Sequence, residues 1–289
     1  MTVISSKANR QTPAPQSVLN FRDVAVSVNA FLEEPLLNEG ILFRSAQLDA
    51  ASIDDRVLIS QTLGIKRVID LRSRSEQLPR ADGLPVQIPH VEHVKVSMPS
   101  LRHKFELVLQ LSFVDILCLL WIAVFSGINQ AKEFVSRKVV APMGLTRFTL
   151  NGLGYSQREL AKTIRAILGP PAQTGSPVLV HCVHGKDRTG LVIALVLLLV
   201  GCPLAAVEYD YRSSDVESVQ EREKKVAILH LQGLTPDFAH TAADLVPALD
   251  QHLAMQYGGV RGFMYQAGIT DAEVESLRQV LLAGMGAKD

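Results

Sequence analysis

The chain has 289 residues, of which 47% are hydrophobic and 20% are charged. This composition is typical of a globular protein with a large packed core and excludes a disordered or fibrous chain. Lysine plus arginine and aspartate plus glutamate both total 29, so the net charge is zero, and the basic excess of most nucleic-acid-binding proteins is absent.

The first 19 residues are predicted to form a disordered polar tail, and residues 20–289 a single domain. The tail lacks the apolar stretch of a secretory signal. It contains Lys7 and Arg10 but no acidic residue, which leaves a transit peptide as the alternative. An odd, sparse set of three cysteines is a poor disulfide framework and favours a reducing compartment, so we expect a cytoplasmic location.

Short strand-like segments alternate with helical ones along the rest of the chain, which is typical of α/β proteins. Strands are predicted at residues 41–43, 66–71, 93–96 and 178–180. A helix is predicted from Ser52 to about residue 63, and Ser156 with Glu159 and Thr270 with Glu273 have the spacing of helix capping boxes. We therefore expect a mostly parallel central sheet flanked by helices.

The longest apolar stretch covers residues 107–127 and is long enough to cross a membrane. However, Gln110, Ser112 and Asp115 interrupt it. A charge at the centre of a bilayer costs about 2.5–3.5 kcal/mol on insertion scales. Buried or lid-forming helices are therefore expected here, with contact to a membrane surface as the less favoured alternative.

The residues that carry chemistry lie between the predicted strand 178–180 and a long apolar helix. A loop that enters a helix N-terminus presents unpaired backbone N–H groups and the positive end of the helix dipole, so it can hold a phosphate. Cys182 begins this loop, and a thiol in such a place is expected to ionise at neutral pH. Arg188, six residues later, can bind two phosphate oxygens with its planar guanidinium.

The glycines and hydroxyl of the loop have expected roles as well. Gly185 and Gly190 are predicted to permit tight turns and the close approach of a ligand. Thr189 places a hydroxyl next to the sulfur of Cys182. Cys118 and Cys202 are not followed by an arginine at this spacing, so the pattern selects one cysteine.

The string H-C-x-x-G-K-D-R-T-G at residues 181–190 resembles the signature loop of the cysteine-dependent protein tyrosine phosphatase superfamily, in its bacterial and fungal branch. Weaker matches are N-F-R-D at 20–23, R-S at 44–45, D-L-R at 70–72 and D-Y at 210–211. The chain departs from the branch after N-F-R-D, where it has valine and alanine in place of glycines. The resemblance implies a tyrosine-phosphatase-like fold with a helical lid from residues 101–150 and 211–245.

The resemblance also implies a mechanism without metal or cofactor, in which Cys182 attacks phosphorus and water then hydrolyses the phosphocysteine. Arg188 and the loop N–H groups would bind the phosphate. The loop residues expected at the phosphate are Val183, His184, Gly185, Lys186, Thr189 and Gly190. Asp187 is the expected general acid, with Asp70 as the alternative. If Asp70 is not the general acid, it is expected to accept a hydrogen bond from Arg188 or another loop arginine.

Four further side chains are predicted to support the loop. His181 is expected to hydrogen-bond it, and Arg22, Arg44 and Arg72 are expected either to converge on it or to form surface salt bridges. His184 is expected to pack beside the pocket or contact solvent, or else to tune the pocket.

The substrate is expected to be a phosphorylated protein or a phosphoinositide. Lys186 is either a second cation that binds an extra phosphate, which favours phosphoinositides, or a solvated loop lysine. The alternative functions are a catalytically silent phosphate-binding module and a sulfur-transfer enzyme.

Overall fold

The computed structural model describes residues 13–77, 87–215 and 219–284, and a five-stranded sheet lies at its centre. The strands are β1 (Arg22–Asp23), β2 (Leu42–Ser45), β3 (Arg67–Asp70), β4 (Glu92–Lys95) and β5 (Val178–His181), in the order β1-β2-β5-β3-β4. β1 pairs antiparallel with β2, and every other pair is parallel. The predicted fold, a mostly parallel sheet flanked by helices, is confirmed.

Strand β5 occupies the centre of the sheet, between β2 and β3. Its last residue, His181, is in register with Ser45 of β2 and with Asp70 of β3. All residues of β2, β3 and β5 are buried, as expected for strands covered on both faces. The carboxyl ends of three buried strands therefore meet at one edge, directly before Cys182, where open α/β sheets bind ligands.

Helices make up most of the remaining structure, with short 3-10 and π-helical turns between several of them. They are α1 (Val24–Leu32), α2 (Ile53–Val57), α3 (Leu101–Leu109), α4 (Phe113–Phe125), α5 (Ile128–Val135), α6 (Ala141–Met143), α7 (Leu145–Leu153), α8 (Gln157–Leu168), α9 (Asp187–Val200), α10 (Leu204–Arg212), α11 (Val219–Leu231), α12 (Leu245–Tyr257), α13 (Val260–Gln266) and α14 (Asp271–Leu281). Helix α9 is apolar on nearly every side because eleven of its fourteen residues are buried, nine of them in the main core.

The predicted helix starts are partly confirmed. Ser52 caps α2, and Thr270 with Glu273 forms the predicted capping box of α14. The capping box predicted at Ser156 is wrong: the 3-10 turn Gly154–Ser156 leads directly into α8, so the helix has no open first turn for the hydroxyl to cap.

The last residues of the predicted N-terminal tail contact the folded domain. Residues 1–12 lie outside the described part of the chain. The amides of Gln16 and Ser17 donate hydrogen bonds to the Asp55 carboxylate over 2.8 and 3.1 Å, and Val18 is buried. The boundary predicted at residue 19 therefore lies too far along the chain.

Helices α3, α4 and α5, which we call the helical cap, contribute to a small hydrophobic core that is separate from the main one. The buried residues of this core are Leu107, Leu111, Val139, Val140, Leu229, Phe238 and Ala239, of which the last three come from the C-terminal half of the chain. The apolar stretch 107–127 forms the end of α3 and all of α4. The expectation of a buried helix there is wrong for α4, because none of its thirteen residues is buried. Within the described ranges, no helix is long and apolar enough to cross a membrane.

Candidate active site

Cys182 follows β5 directly and is buried, with 2% of its surface exposed. Both neighbours of this residue are held by adjacent segments of backbone. The His181 carbonyl accepts from the Leu71 amide over 2.8 Å, and the Val183 carbonyl accepts from the Gln47 amide over 3.0 Å. The start of α9 at residue 187 closes the loop, so unpaired N–H groups of a helix N-terminus lie next to a rigidly placed thiol.

The two loop glycines are required by neighbouring protein groups. Gly185 has φ +68°, and a Cβ there would lie 2.3 Å from the Ser45 carbonyl oxygen at the end of β2. A Cβ on Gly190 would lie 2.7 Å from the ring of Tyr211. The tight turn predicted at Gly185 is present, and both glycines also allow close contact with β2 and α10.

A buried group of charges supports the loop from behind. Arg44, which is fully buried, donates to the Gly185 carbonyl over 2.9 Å and forms an ion pair with Asp210. Arg22 also pairs with Asp210, at 3.1 Å. The Ser214 hydroxyl accepts from both guanidinium groups. Of these two arginines, Arg44 contacts the loop itself, whereas Arg22 acts on it through Asp210.

Asn20 is a loop contact that sequence reasoning did not single out. Its amide nitrogen donates to the His184 carbonyl over 3.1 Å, and its oxygen accepts from Arg22. The N-F-R-D motif contained the signal, because Asn20 is its first residue. The His184 side chain is half-buried.

Asp70 accepts hydrogen bonds from Arg72. The Arg72 guanidinium lies 2.9 Å from the Asp70 carboxylate and also pairs with Asp49 at 2.8 Å. Burial acts to raise the pKa of Asp70, but the hydrogen bonds from Arg72 outweigh it and hold the pKa below its usual value. Of the roles expected for Asp70, the structure shows an acceptor for Arg72, whose guanidinium pairs with Asp70 and Asp49.

His181 is a buried neutral side chain beneath the loop. Burial lowers the pKa of this histidine, against the opposing effect of Asp70. Its Nδ1 lies 3.3 Å from the Cys182 carbonyl, to which it donates. The predicted hydrogen bond between His181 and the loop is present.

Lys186 is fully buried, so the expectation of a solvated loop lysine is wrong. Its ammonium donates to the carbonyls of Phe238, at 3.1 Å, and His240, at 2.5 Å. It also lies 2.9 Å from Oδ1 of Asp187, whose side chain is one-third exposed. The ammonium is therefore occupied by two backbone carbonyls and an ion pair, although Oδ1 of Asp187 has no hydrogen-bond partner among the described residues.

Arg188 is held by Glu76, a residue that sequence reasoning missed. The two guanidinium nitrogens lie 2.6 and 3.0 Å from the two carboxylate oxygens, and Arg188 also donates to the Met98 carbonyl. Burial acts to raise the pKa of Glu76, but hydrogen bonds from Arg188 and Ser73 lower it to about 2. The ionised Glu76 stabilises the folded state at pH values above the usual carboxyl pKa of 4.5. This contribution to the free energy of unfolding is lost as the pH falls towards 2.

Three basic side chains surround the pair of Glu76 and Arg188, and we call them the entrance cations: Arg74, Lys104 of α3 and Lys132 of α5. The Lys132 ammonium lies 3.4 Å from the Ser75 hydroxyl. Burial, followed by the charge of Lys132, lowers the pKa of Lys104. The helical cap thus contributes positive charge beside Arg188.

The remaining titratable and hydroxyl groups near the loop are simpler. Thr189 is buried, and its hydroxyl has no hydrogen-bond partner among the described residues. All three cysteines are free, and burial raises the pKa of the Cys202 thiol to about 12. Cys202 is therefore protonated at neutral pH.

Several known proteins are similar to this chain. TpbA from P. aeruginosa, a solved structure, is 16% identical with a TM-score of 0.32, covering 69% of this chain and 84% of TpbA. A tyrosine-protein phosphatase of Nostoc commune is 31% identical over 47% of this chain and 49% of its own length. The triple specificity protein phosphatase PtpB of Mycobacterium tuberculosis is 29% identical over 91% of this chain and 96% of its own length. A sequence model described as the tyrosine phosphatase family matches residues 14–283.

Proposed function

Because this chain belongs to the tyrosine phosphatase family, and is thus a tyrosine-phosphatase-like hydrolase, we propose that it forms a phosphocysteine on Cys182. The observation that carries the proposal is the loop itself. Cys182 lies at the carboxyl end of the central strand, and Arg188 lies in the first turn of the helix that closes the loop. This arrangement provides a nucleophile and a bidentate phosphate ligand in one short segment.

The reaction proceeds in two displacements. The Cys182 thiolate attacks phosphorus in line, forming an S–P bond as the bond to the leaving oxygen breaks, and a proton from Asp187 neutralises that oxygen. Water then attacks the phosphocysteine and releases inorganic phosphate and the thiolate. Arg188 and the loop N–H groups stabilise the charge on the equatorial oxygens, and the unpaired Thr189 hydroxyl is available to the sulfur.

Two observations favour Asp187 over Asp70 as the general acid. Asp187 lies in the loop with one-third of its side chain exposed, and its Oδ1 has no hydrogen-bond partner among the described residues. Asp70 is buried, its carboxylate is bound by Arg72, and its pKa is lowered. A carboxyl group held in its charged form by an arginine is a poor proton donor.

We expect Asp187→Asn to slow the enzyme most on substrates with poor leaving groups. Because general acid catalysis contributes about 10²–10⁴-fold, phenyl phosphate turnover should fall by that order, while an activated nitrophenyl ester should lose far less. Steady-state kinetics over a series of substituted phenyl phosphates measures how the loss of turnover depends on the pKa of the leaving group. Asp70→Asn is the control, and an equal loss for all leaving groups in Asp187→Asn contradicts the assignment.

The proposed substrates are phosphorylated proteins and phosphoinositides. PtpB is named a triple specificity phosphatase, and the entrance cations of this chain support an additional anionic group beside the scissile phosphate. Lys186 does not support it, because its ammonium is fully buried, donates to two backbone carbonyls and pairs with Asp187. We propose that Lys104 and Lys132, and not Lys186, contact a second phosphate.

Variants of these lysines show whether a second phosphate is bound by Lys186 or by Lys104 and Lys132. Lys186→Met should lower turnover of a soluble aryl phosphate and a short-chain phosphoinositide to the same extent, by roughly 10–100-fold, because Asp187 loses its support. The double variant Lys104→Gln/Lys132→Gln should lose about tenfold on the phosphoinositide alone. A selective loss on the phosphoinositide in Lys186→Met contradicts this placement.

The phosphatase proposal is tested by assaying the purified full chain on an aryl phosphate in the presence of a chelator. Rapid acid quenching with a radiolabelled substrate should trap phosphate covalently on the peptide that contains Cys182. Phosphate binding without release would contradict catalysis, and turnover with label on another residue would contradict the proposed nucleophile.

A further inference from the structure

Helix α4 is an apolar helix with an exposed surface. Its thirteen residues include a single charged one, and none is buried. The large side chains more than half exposed on α4 are Phe113, Val114, Leu117, Leu120, Trp121, Val124 and Phe125. Trp121 and Phe125 are 61% and 72% exposed, and their ring centroids lie 5.4 Å apart. A helix that is apolar on all sides is normally covered by protein or lipid.

The exposed apolar surface continues onto the neighbouring helices. Leu101, Phe105 and Leu109 of α3 are also exposed and follow at four-residue spacing, which places them on one face. Among the described residues, eleven of the twenty large hydrophobic side chains that are exposed lie between positions 101 and 128. Apolar surface this concentrated marks an interaction site.

The charges around this surface favour an anionic partner. Asp115, the charged residue of α4, pairs with Lys138 at 3.0 Å. Residues 101–150 contain six lysines and arginines against three acidic residues, in a chain whose net charge is zero. A second copy of this chain would bring the same positive excess to the contact, whereas an anionic lipid surface would complement it.

We propose that the outer face of the helical cap, formed by α4 and the exposed side chains of α3, docks onto the interface of an anionic lipid membrane. At 1.5 Å per residue, α4 is about 20 Å long, shorter than the roughly 30 Å hydrocarbon core, so it lies along the membrane surface. Tryptophan and phenylalanine are well suited to the boundary between acyl chains and headgroups.

Docking on this face brings the lipid surface close to the candidate active site. Helix α4 packs against α5, and Lys132 of α5 contacts Ser75, whose neighbour Glu76 holds Arg188. Lys132 therefore lies one helix away from α4, and Lys104 lies on α3 itself. The membrane inference stands on exposure and charge and does not depend on the phosphatase proposal.

Trp121 allows a direct test, because the chain contains one tryptophan. Vesicles of equal parts phosphatidylcholine and phosphatidylserine should shift its emission to shorter wavelength and protect it from iodide quenching. Vesicles of phosphatidylcholine alone should bind more weakly, and added salt should weaken binding to the anionic vesicles.

Co-sedimentation of variants tests which surface binds. Leu117→Ser/Phe125→Ser retains Trp121 and should reduce partitioning onto the anionic vesicles by about tenfold or more. The matched control is Met255→Ser/Tyr265→Ser, whose side chains are 72% and 73% exposed on α12 and α13. The control should bind as the wild type does, and both double variants should keep their activity on a soluble aryl phosphate.

Three results would overturn the inference. One is a wild-type protein that hydrolyses the aryl phosphate but shows no vesicle-induced change in Trp121, which would leave the proposed function intact. The second is equal vesicle binding by the two double variants. The third is an emission shift that depends on protein concentration without lipid, together with a dimer mass, because this assigns the face to a second copy.

Discussion

Replacing Cys182 by serine should abolish turnover while leaving the protein folded. A serine hydroxyl is nearly the size of the thiol but does not ionise near neutral pH, so the first displacement loses its nucleophile. Residues that carry the chemical step typically cost at least about 10⁴-fold in kcat when removed, and a loss of that order is expected here.

The measurement is hydrolysis of an aryl phosphate by Cys182→Ser beside Cys118→Ser. Cys118 is exposed on α4, away from the loop, and its replacement should leave turnover of a soluble substrate unchanged. Circular dichroism and urea unfolding confirm that both variants are folded. Residual turnover above about one percent in a folded Cys182→Ser protein would be inconsistent with covalent catalysis by this residue.

The second large effect is expected for Asp210→Ala, which should lower the free energy of unfolding by about 3–5 kcal/mol. Asp210 pairs with both Arg22 and Arg44, and Arg44 is fully buried. Removing the carboxylate leaves a buried guanidinium without its counterion, and the penalty for this exceeds that of losing a surface ion pair.

Urea unfolding measures this difference, with Asp250→Ala as the matched control. Asp250 is an exposed acid in α12, and its replacement should change stability by no more than about 0.5 kcal/mol. If Asp210→Ala loses less than about 1 kcal/mol, the buried group of charges is not the support for the loop described here. Activity should fall together with stability, because Arg44 also holds the Gly185 carbonyl.

The parts of the site that could be predicted are those written in one short segment. The strand before Cys182, the turn and the apolar helix after it follow from local hydrophobic pattern and glycine spacing, and the structure contains all three. The pairing of Arg188 with Glu76 joins residues 112 positions apart, and no local pattern links them. A single sequence therefore predicts the arginine but not the acid that orients it.

The burial of Lys186 and the exposure of α4 could not be predicted from the sequence either. A lysine in a polar loop normally extends into solvent, and an apolar helix is normally covered. The expected exposed lysine is buried and the expected covered helix is exposed, because burial depends on which distant segments pack nearby. The carbonyls of Phe238 and His240 enclose the lysine, and the small core of the helical cap leaves the outer side of α4 uncovered.

The hydrogen bond from Lys186 to the His240 carbonyl spans 54 positions of the chain and has a consequence for biosynthesis. The loop is complete only when residues beyond 240 have left the ribosome and folded onto it. A nascent chain that ends soon after α9 already contains Cys182 and Arg188, but it lacks the backbone that anchors Lys186. This contact of the loop can therefore form only after most of the chain has been synthesised.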